Sequence, residues 1–593
     1  MTSSRILSRR SVPAVIVGSA VALVVGERLV EAIRPGLLLD PEPGWAMVRF
    51  FLWMGLLSAT AAAGALAAAL FLLWMRSPWF PPQPEALPFR RIALVLLAVG
   101  SITAGAAIRF LELDRIPASL WIDDVSLVPA ALALEGGPGD FADSVRPHPF
   151  GVARPFGAVG VLYLEVYRLS LGLFGTTVFG VRFLFALAGA LSLVTGTLLG
   201  RALLPRGGGT LVALILAGLR WHLILSRWSY AIVITPLVDA AAVLLVTARR
   251  RRSAPAAAAA GATVGVAAHV YLSSWIAAAA LLAFAAWPSA GESIRARLRV
   301  PLLFAAGFLV AVAPLFAFRE GRTAAYFART ADHNVRLEIE RTKSILPPFA
   351  AAAEALVAPW FLGDPIARHD LPGRSRLGLL GIPLALALAR AVVRPREDLS
   401  ALLLAHGGAA LAANVAGGQA DLPNGMRFGY LTSVAAVAVA GGMLSLFHLA
   451  RSRRRVLGIV LVGLAAAASA LGARDALVTW AEGRPAFDAF GGQDTLLGRA
   501  AARWSRYGRV AMEPGLGHYA LTVEGVWRYR LDPATPDESP AARGRDRAFR
   551  VAAPGSPRAG ERLVERVTDA WGREWACVYG RATASGNPTR AGG

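Results

Sequence analysis

Residues 90–110 read RRIALVLLAVGSITAGAAIRF, two arginines followed by an almost uninterrupted apolar run. A helix that crosses the hydrocarbon core of a bilayer needs about 20 mainly apolar residues, and this run has that length. Segments of the same kind recur along the chain, which is 55% apolar and only 17% charged over 593 residues. With a mean hydropathy of +0.51, the composition excludes an ordinary soluble protein of this length and predicts a polytopic membrane protein.

Thirteen segments have the length and hydropathy expected of a membrane-spanning helix. The predicted fold is therefore all-α and polytopic, with about thirteen transmembrane helices and a small C-terminal α/β domain. Residues 1–91 would form two N-terminal helices, residues 92–473 a transmembrane core, and residues 474–593 a mixed α/β tail with a disordered end. The segments centre on residues 12–32, 47–75, 92–110, 178–203, 210–228, 231–247, 256–273, 275–288, 300–318, 376–393, 399–416, 429–449 and 455–472.

Basic residues form six short clusters between the apolar segments. Cytoplasmic loops carry an excess of Lys and Arg, and with thirteen helices all six clusters fall on one side. The pattern predicts a bacterial inner-membrane protein with a cytoplasmic N-terminus, and it explains the net charge of +22 without nucleic acid. Two long loops, 111–177 and 319–375, and the tail would lie outside. The clusters are Arg9 and Arg10, Arg90 and Arg91, Arg249 to Arg252, Arg295 to Arg299, Arg394 and Arg396, and residues 451–455.

The metal-binding and redox side chains are few. A single cysteine, Cys577, excludes an intramolecular disulfide and any Cys-based metal cluster. The eight histidines form no HExxH motif. Mg²⁺ and Mn²⁺ require near-octahedral oxygen ligation, which two adjacent acids do not supply. The sequence therefore predicts no cofactor and assigns no metal ligand, and it leaves a requirement for a divalent metal open.

Two adjacent acids, Asp123 and Asp124, follow the apolar run of residues 92–110 by about a dozen residues, within RIPASLWIDDVSLVPAAL at 115–132. One interpretation is that they cap the helix that begins near Val125, since Asp is favoured at helix N-termini. The other is that one of them accepts a proton from a hydroxyl at the membrane surface, as a general base does. Neighbouring residues point about 100° apart on a helix, so only one acid would face the reaction. Both interpretations stay open on the residues alone.

Five stretches, taken in order, resemble a known family. The pattern P-x-x-L-W-x-D-D at 117–124, followed by RPFGAVGVLYLEVYRLSLGLFGTTVFGVRF at 154–183, is similar to the first outer loop and next helix of the GT-C glycosyltransferases. The resemblance is to bacterial members of the protein O-mannosyltransferase family, glycosyltransferase family 39, which includes lipid A aminoarabinose transferases. It spans about residues 92–475. The other three stretches are WHLILSRWSY at 221–230, FLGDPIARHDLPGRSRL at 361–377 and LPNGMRFGYLTSVAAVAVAGG at 422–442.

The resemblance implies an inverting glycosyltransferase that moves a sugar from a polyprenyl phosphate to an acceptor hydroxyl on the outer face of the membrane. Asp123 matches the family's catalytic acid and Asp124 its neighbour. The phosphate leaving group calls for cations, and the planar fork of Arg suits phosphate oxygens. Arg154, Arg227 and Arg427 are the candidates, with ordinary snorkelling of an interfacial Arg as the alternative. The acceptor stays open between protein, glycolipid and polysaccharide.

Arg368 and His369 lie in the ARHDLPG loop of the third outer stretch. They are expected either to line the acceptor site or lid, or only to build a turn around Pro372 and Gly373. The chain departs from the family pattern where Asp124 replaces the usual Glu. It departs again near Trp275, where relatives often carry an Arg.

Arg220 and Asp239 stand near mid-membrane, where either charge alone costs about 2.5–3.5 kcal/mol on insertion scales. Each lies about ten residues from the turn at 228–230, so equal depth predicts a structural ion pair between them. The alternative function is a transporter or lipid flippase that uses these two charges for coupling. Against it, the sequence has no inverted repeat or paired broken helices.

Overall fold

The computed structural model describes residues 87–132, 161–288, 293–317, 335–417, 425–447, 454–513, 515–517, 523, 526 and 548–581. The first two predicted helices, Arg154 and the end predicted to be disordered lie outside the described residues.

Of the other eleven predicted segments, ten each coincide with one helix and the segment at 210–228 contains two, which confirms the polytopic all-α fold. The loops predicted at 111–177 and 319–375 also contain helices, because short apolar stretches there pack against the bundle. In order the helices are α1 Arg91–Phe110, α2 Ile122–Leu132, α3 Val161–Phe174, α4 Val178–Leu203, α5 Gly208–Gly218, α6 Arg220–Leu225, α7 Thr235–Arg251, α8 Ala254–Ala268, α9 Ser274–Ala285, α10 Ile294–Ala317, α11 Val335–Thr342, α12 Leu346–Phe361, α13 Gly381–Val393, α14 Asp398–Gly417, α15 Leu431–Phe447, α16 Arg454–Arg474, α17 Arg484–Ala489 and α18 Gly492–Trp504.

Four helical runs in the described chain are long and apolar enough to cross a membrane: α1, α4, α14 and the run Arg455–Trp480. On α1 the side chains of Ile92, Leu96 and Val99 are 74%, 67% and 55% exposed. Their spacing places them on one face of the helix, where a stripe of exposed apolar side chains calls for lipid rather than water. The protein is therefore a multi-pass membrane protein.

The span predicted at 210–228 is broken in the structure. Helix α5 ends at the point where α6 begins with Arg220, so the run is not one continuous helix. Arg109 of α1 donates hydrogen bonds to the carbonyl oxygens of Leu216 (2.9 Å) and Ala217 (3.3 Å). Because carbonyls at a helix end lack partners within the helix, these bonds stabilise the break inside the bundle.

The bundle has two chemically different ends. At one of them Arg250 binds the carboxylate of Asp398 (2.9 Å) and the carbonyl of Ala202 (2.5 Å), and Trp287 donates to the carbonyl of Pro395 (2.7 Å). These contacts connect the turns between helices in which the arginine clusters lie. We call this end the basic end. The described parts of the two loops predicted to lie outside and of the C-terminal tail lie at the opposite end, which we call the outer-loop end.

The tail forms the predicted small α/β unit. Its strands are β1 Arg509–Met512, β2 Ala548–Ala552, β3 Glu561–Thr568 and β4 Glu574–Arg581, in the order β1-β2-β4-β3. β1 and β2 are parallel, and the other pairs are antiparallel. Leu497 and Ala500 of α18 pack on Phe549 and Val578 of the sheet. The backbone N–H of Leu120 donates to the hydroxyl of Thr495 (3.2 Å), so the tail contacts the first outer loop.

Candidate functional site

The acid pair lies in the first turn of α2, at the outer-loop end of the bundle. The structure describes the backbone of Asp123 there, and its side chain lies outside the described part. Asp124 is fully buried, and its carboxylate is close enough to Arg182 for the two charges to interact. The hydroxyl of Tyr167 donates to the backbone carbonyl of Asp124 (3.1 Å). The second acid is thus held in place by α3 and α4.

Arg182 holds the first outer loop and was not assigned a role from the sequence. Its guanidinium is buried and donates to the carbonyls of Leu113 (3.0 Å) and Ser119 (2.7 Å). The signal for it was present in the sequence, since Arg182 is the fifth residue of an apolar helix, at the end predicted to lie outside, where the positive-inside bias disfavours Arg. Arg182 therefore sets the position of the segment that leads into Asp123.

Arg227 has a comparable arrangement. Its guanidinium is fully buried and donates to the carbonyls of Ile108 (2.9 Å), Leu111 (2.7 Å) and Ile116 (3.2 Å). These bonds satisfy carbonyls at the end of α1 and in the following loop. A donor phosphate would have to displace them, so the geometry supports a structural role for Arg227.

Arg368 and Trp121 connect the ARHDLPG loop to the acid pair. The Arg368 guanidinium lies over the Trp121 ring, 3.7 Å from its centroid, and 5.8 Å from the centroid of Trp228. His369 stacks in parallel on Trp228 with a centroid distance of 6.3 Å. Cations are attracted to the faces of indole rings. The loop thereby places a cation directly beside the residue that precedes α2.

A network of buried charged residues stabilises this loop. Arg376 binds Asp364 at 2.6 Å and lies 3.9 Å from the centroid of Trp221, and His369 Nδ1 is 3.7 Å from Asp364. Burial alone would raise the pKa of the Asp364 carboxyl, but the neighbouring His369 and Arg376 outweigh burial and lower that pKa. Asp364 therefore stays ionised and anchors the loop. The sequence did not single out Asp364 or Arg376, because their partner groups become neighbours only in the folded loop.

The predicted ion pair between Arg220 and Asp239 is wrong. Arg220 binds Asp370 at 2.6 Å and Asp475 at 3.3 Å. Asp239 is buried on α7 and accepts a hydrogen bond from Thr195 (3.1 Å). The prediction assumed that the helices on both sides of the turn at 228–230 are regular, so that Arg220 and Asp239 lie at equal depth. The first of these helices is instead interrupted just before Arg220.

Arg427 lies in a short 3₁₀ helix, Gly425–Phe428, beside the same loop. Gly425 lies against Asp364 and Arg376 so closely that a Cβ atom there would collide with them. The stretches at 117–124, 221–230 and 361–377 and the described residues 425–428 therefore meet at one end of the bundle. Among the described residues, no group of three or more His, Cys, Asp or Glu side chains could hold a metal ion.

No protein-family model matches the chain, and no curated protein matches it either. Among solved structures, the chain is similar to ArnT from Cupriavidus metallidurans in the apo state, with 14% identity, 82% of this chain and 98% of that chain covered, and a TM-score of 0.44. The same protein bound to undecaprenyl phosphate matches with 13% identity, coverage of 83% and 99%, and a TM-score of 0.41.

The chain is also similar to the oligosaccharyltransferase AglB from Archaeoglobus fulgidus, in complex with an inhibitory peptide and a dolichol-phosphate, with 14% identity, coverage of 73% and 63%, and a TM-score of 0.42. Structures of this archaeal enzyme are matched over 53% to 63% of their own length. Both proteins belong to the GT-C superfamily that the sequence resembles.

Proposed function

We propose that this protein is an inverting membrane glycosyltransferase that transfers a sugar from a polyprenyl-phosphate donor to an acceptor hydroxyl. The observation that carries the proposal is the meeting of four family-like stretches around the first turn of α2, at the end opposite the arginine clusters. A reaction at the membrane surface needs a base, cations for a phosphate and nearby apolar surface for the lipid. This end of the bundle combines the acid pair with Arg368, Arg427 and exposed apolar side chains such as Leu111, Leu362 and Leu379.

In the proposed reaction Asp123 accepts the proton of the acceptor hydroxyl. The hydroxyl oxygen forms a bond to the anomeric carbon while the bond from that carbon to the phosphate oxygen breaks. The polyprenyl phosphate leaves with the negative charge, which Arg368 and Arg427 would stabilise, together with Arg154. Asp124, buried near Arg182, keeps α2 in position.

The alternative, a transporter or flippase, requires Arg220 and Asp239 to be coupled. Arg220 is instead held by Asp370 and Asp475, next to a loop rather than along a path through the bundle. We therefore favour the glycosyltransferase.

The test is to incubate the purified protein in detergent with a set of polyprenyl-phosphate sugars and to measure the released polyprenyl phosphate by mass spectrometry. Release that depends on an added acceptor, and that the Asp123→Asn variant lacks, is the expected result. If no donor is consumed while the protein in vesicles moves lipid between leaflets, the function belongs to the alternative class.

Arg368→Ala should lower kcat/KM for the donor by roughly tenfold or more, because a hydrogen bond to a charged group contributes about 1.5–3 kcal/mol. Arg368→Lys keeps the charge but loses the planar fork, so we expect a smaller loss. Arg336, which is exposed on α11, supplies the control, and Arg336→Ala should leave the kinetics unchanged. Equal kinetics for Arg368→Ala and the control would assign Arg368 to loop packing alone.

A further inference from the structure

A cavity of about 1070 Å³ opens at the basic end of the bundle, far from the acid pair. Its walls are the end of α4, the end of α13 with the turn that follows it, and part of α15. No role in the proposed transfer reaction involves this cavity. Its lining is unusual in charge, with five arginines, Arg201, Arg250, Arg390, Arg394 and Arg396, against two acids, Glu397 and Asp398.

Two of the five arginines are neutralised by the two acids. Arg390 binds Glu397 at 2.9 Å, and Arg250 binds Asp398 at 2.9 Å. Arg201, Arg394 and Arg396 form no ion pair with any acid in the described part of the chain. The cavity lining therefore carries three more positive charges than negative charges.

One wall of the cavity is rigid and polar. Arg390 is only 6% exposed, and its guanidinium is oriented by Glu397 and by the Ser445 hydroxyl (3.2 Å). The Nε and Nη2 atoms of Arg390 already donate to the Glu397 carboxylate, so Arg201, Arg394 and Arg396 are the lining arginines whose forks can match phosphate oxygens. Such a wall differs from a set of freely moving surface arginines.

The cavity borders a lipid-facing surface. Val194 and Leu198 of α4 are both 42% exposed, and their spacing of four residues places them on one face of the helix. Arg201 and Ala202 follow Leu198 by three and four residues on the same face of α4, and both line the cavity. A ligand with an anionic head and apolar chains could therefore place the head among the arginines and the chains along α4.

We propose that this cavity binds the phosphate headgroup of an anionic phospholipid of the surrounding leaflet. The chemistry that it recognises is a phosphate ester. The exposed apolar face of α4 that continues into the cavity favours a lipid over a soluble phosphate. Basic pockets between membrane helices recognise anionic headgroups by the same combination of charge and apolar surface. The site is independent of the proposed sugar transfer, and its test needs no enzymatic activity.

The test titrates the purified full-length protein in detergent with phosphatidylglycerol and measures bound lipid by native mass spectrometry. Arg394→Gln combined with Arg396→Gln should weaken binding roughly thirtyfold, since each basic residue near an anionic lipid contributes a factor of about five. Arg394→Lys combined with Arg396→Lys should keep most of the binding, because the charge is retained. This variant shows whether the loss in the Gln variant comes from the missing charge or from misfolding. The matched control is Arg295→Gln combined with Arg299→Gln, which removes the same charge from α10 outside the cavity.

Specific binding of phosphatidylglycerol that the double Gln variant loses, and that the control and the Lys variant keep, supports the proposal. Equal loss in the control variant would overturn it, because binding would then reflect the general charge of the basic end. Equal binding of phosphatidylcholine would also overturn it, as would displacement of the lipid by millimolar inorganic phosphate, which would identify a soluble anion as the ligand.

Discussion

Asp123→Asn is expected to lower turnover by about a hundredfold or more, while binding of the donor is largely kept. Asparagine has nearly the size and hydrogen-bonding capacity of aspartate but lacks the basic oxygen, and general-base catalysis typically contributes about 10²–10⁴-fold. The loss should therefore appear in kcat, with little change in the dissociation constant of the donor. Thermal unfolding in detergent should also change little, since Asn is nearly as good as Asp at a helix N-terminus.

Asp124→Asn is the matched comparison, because the two acids are adjacent in the same turn. Asp124 is buried near the buried Arg182, and removal of one charge from a buried pair leaves the other uncompensated. We therefore expect Asp124→Asn to lower the unfolding temperature clearly and to reduce activity in proportion to the loss of folded protein. A fully active Asp123→Asn enzyme would contradict the assignment of the base and favour the simple helix cap.

Arg220→Met is expected to destabilise the protein by about 3–5 kcal/mol, the usual cost of breaking a buried ion pair from one side. Asp370 is fully buried and binds Arg220 at 2.6 Å, so the substitution leaves a buried carboxylate without its nearest cation. Asp475 keeps a second partner, Arg374, at 3.0 Å. Most of the loss should therefore come from Asp370. The measurement is the free energy of unfolding of the purified protein in detergent.

A double-mutant cycle identifies the partner of Arg220. Adding Asp370→Asn to Arg220→Met should recover part of the stability, because the lone carboxylate is removed, and contacting residues typically couple by about 0.5–3 kcal/mol. Adding Asp239→Asn to Arg220→Met should give losses that simply add, since Thr195 and not Arg220 contacts Asp239. Strong coupling between Arg220 and Asp239 would contradict this prediction and favour the ion pair expected from the sequence.

The sequence by itself determined the class of fold. Apolar runs of about twenty residues predict helices wherever they occur, because the cost of exposing backbone polar groups to lipid is local and depends on little else. The eleven predicted segments within the described chain are helical for this reason. The arginine clusters within the described chain meet at one end of the bundle, since each membrane-spanning helix reverses the direction of the chain. The order of the family-like stretches also located the region of the candidate site.

Only the tertiary structure decided which charges meet. Arg220 binds an aspartate 150 residues away and another 255 residues away, and hydropathy contains no information about such separations. Arg368 reaches Trp121 only because the ARHDLPG loop folds back over the first turn of α2. Arg220 and Asp239 are equally far from the turn in sequence, but the helix is interrupted before Arg220. Sequence distance gives depth in the membrane only along a regular helix, so the two residues do not pair. Ion pairs in a bundle depend on long-range packing, whereas membrane insertion depends on local composition.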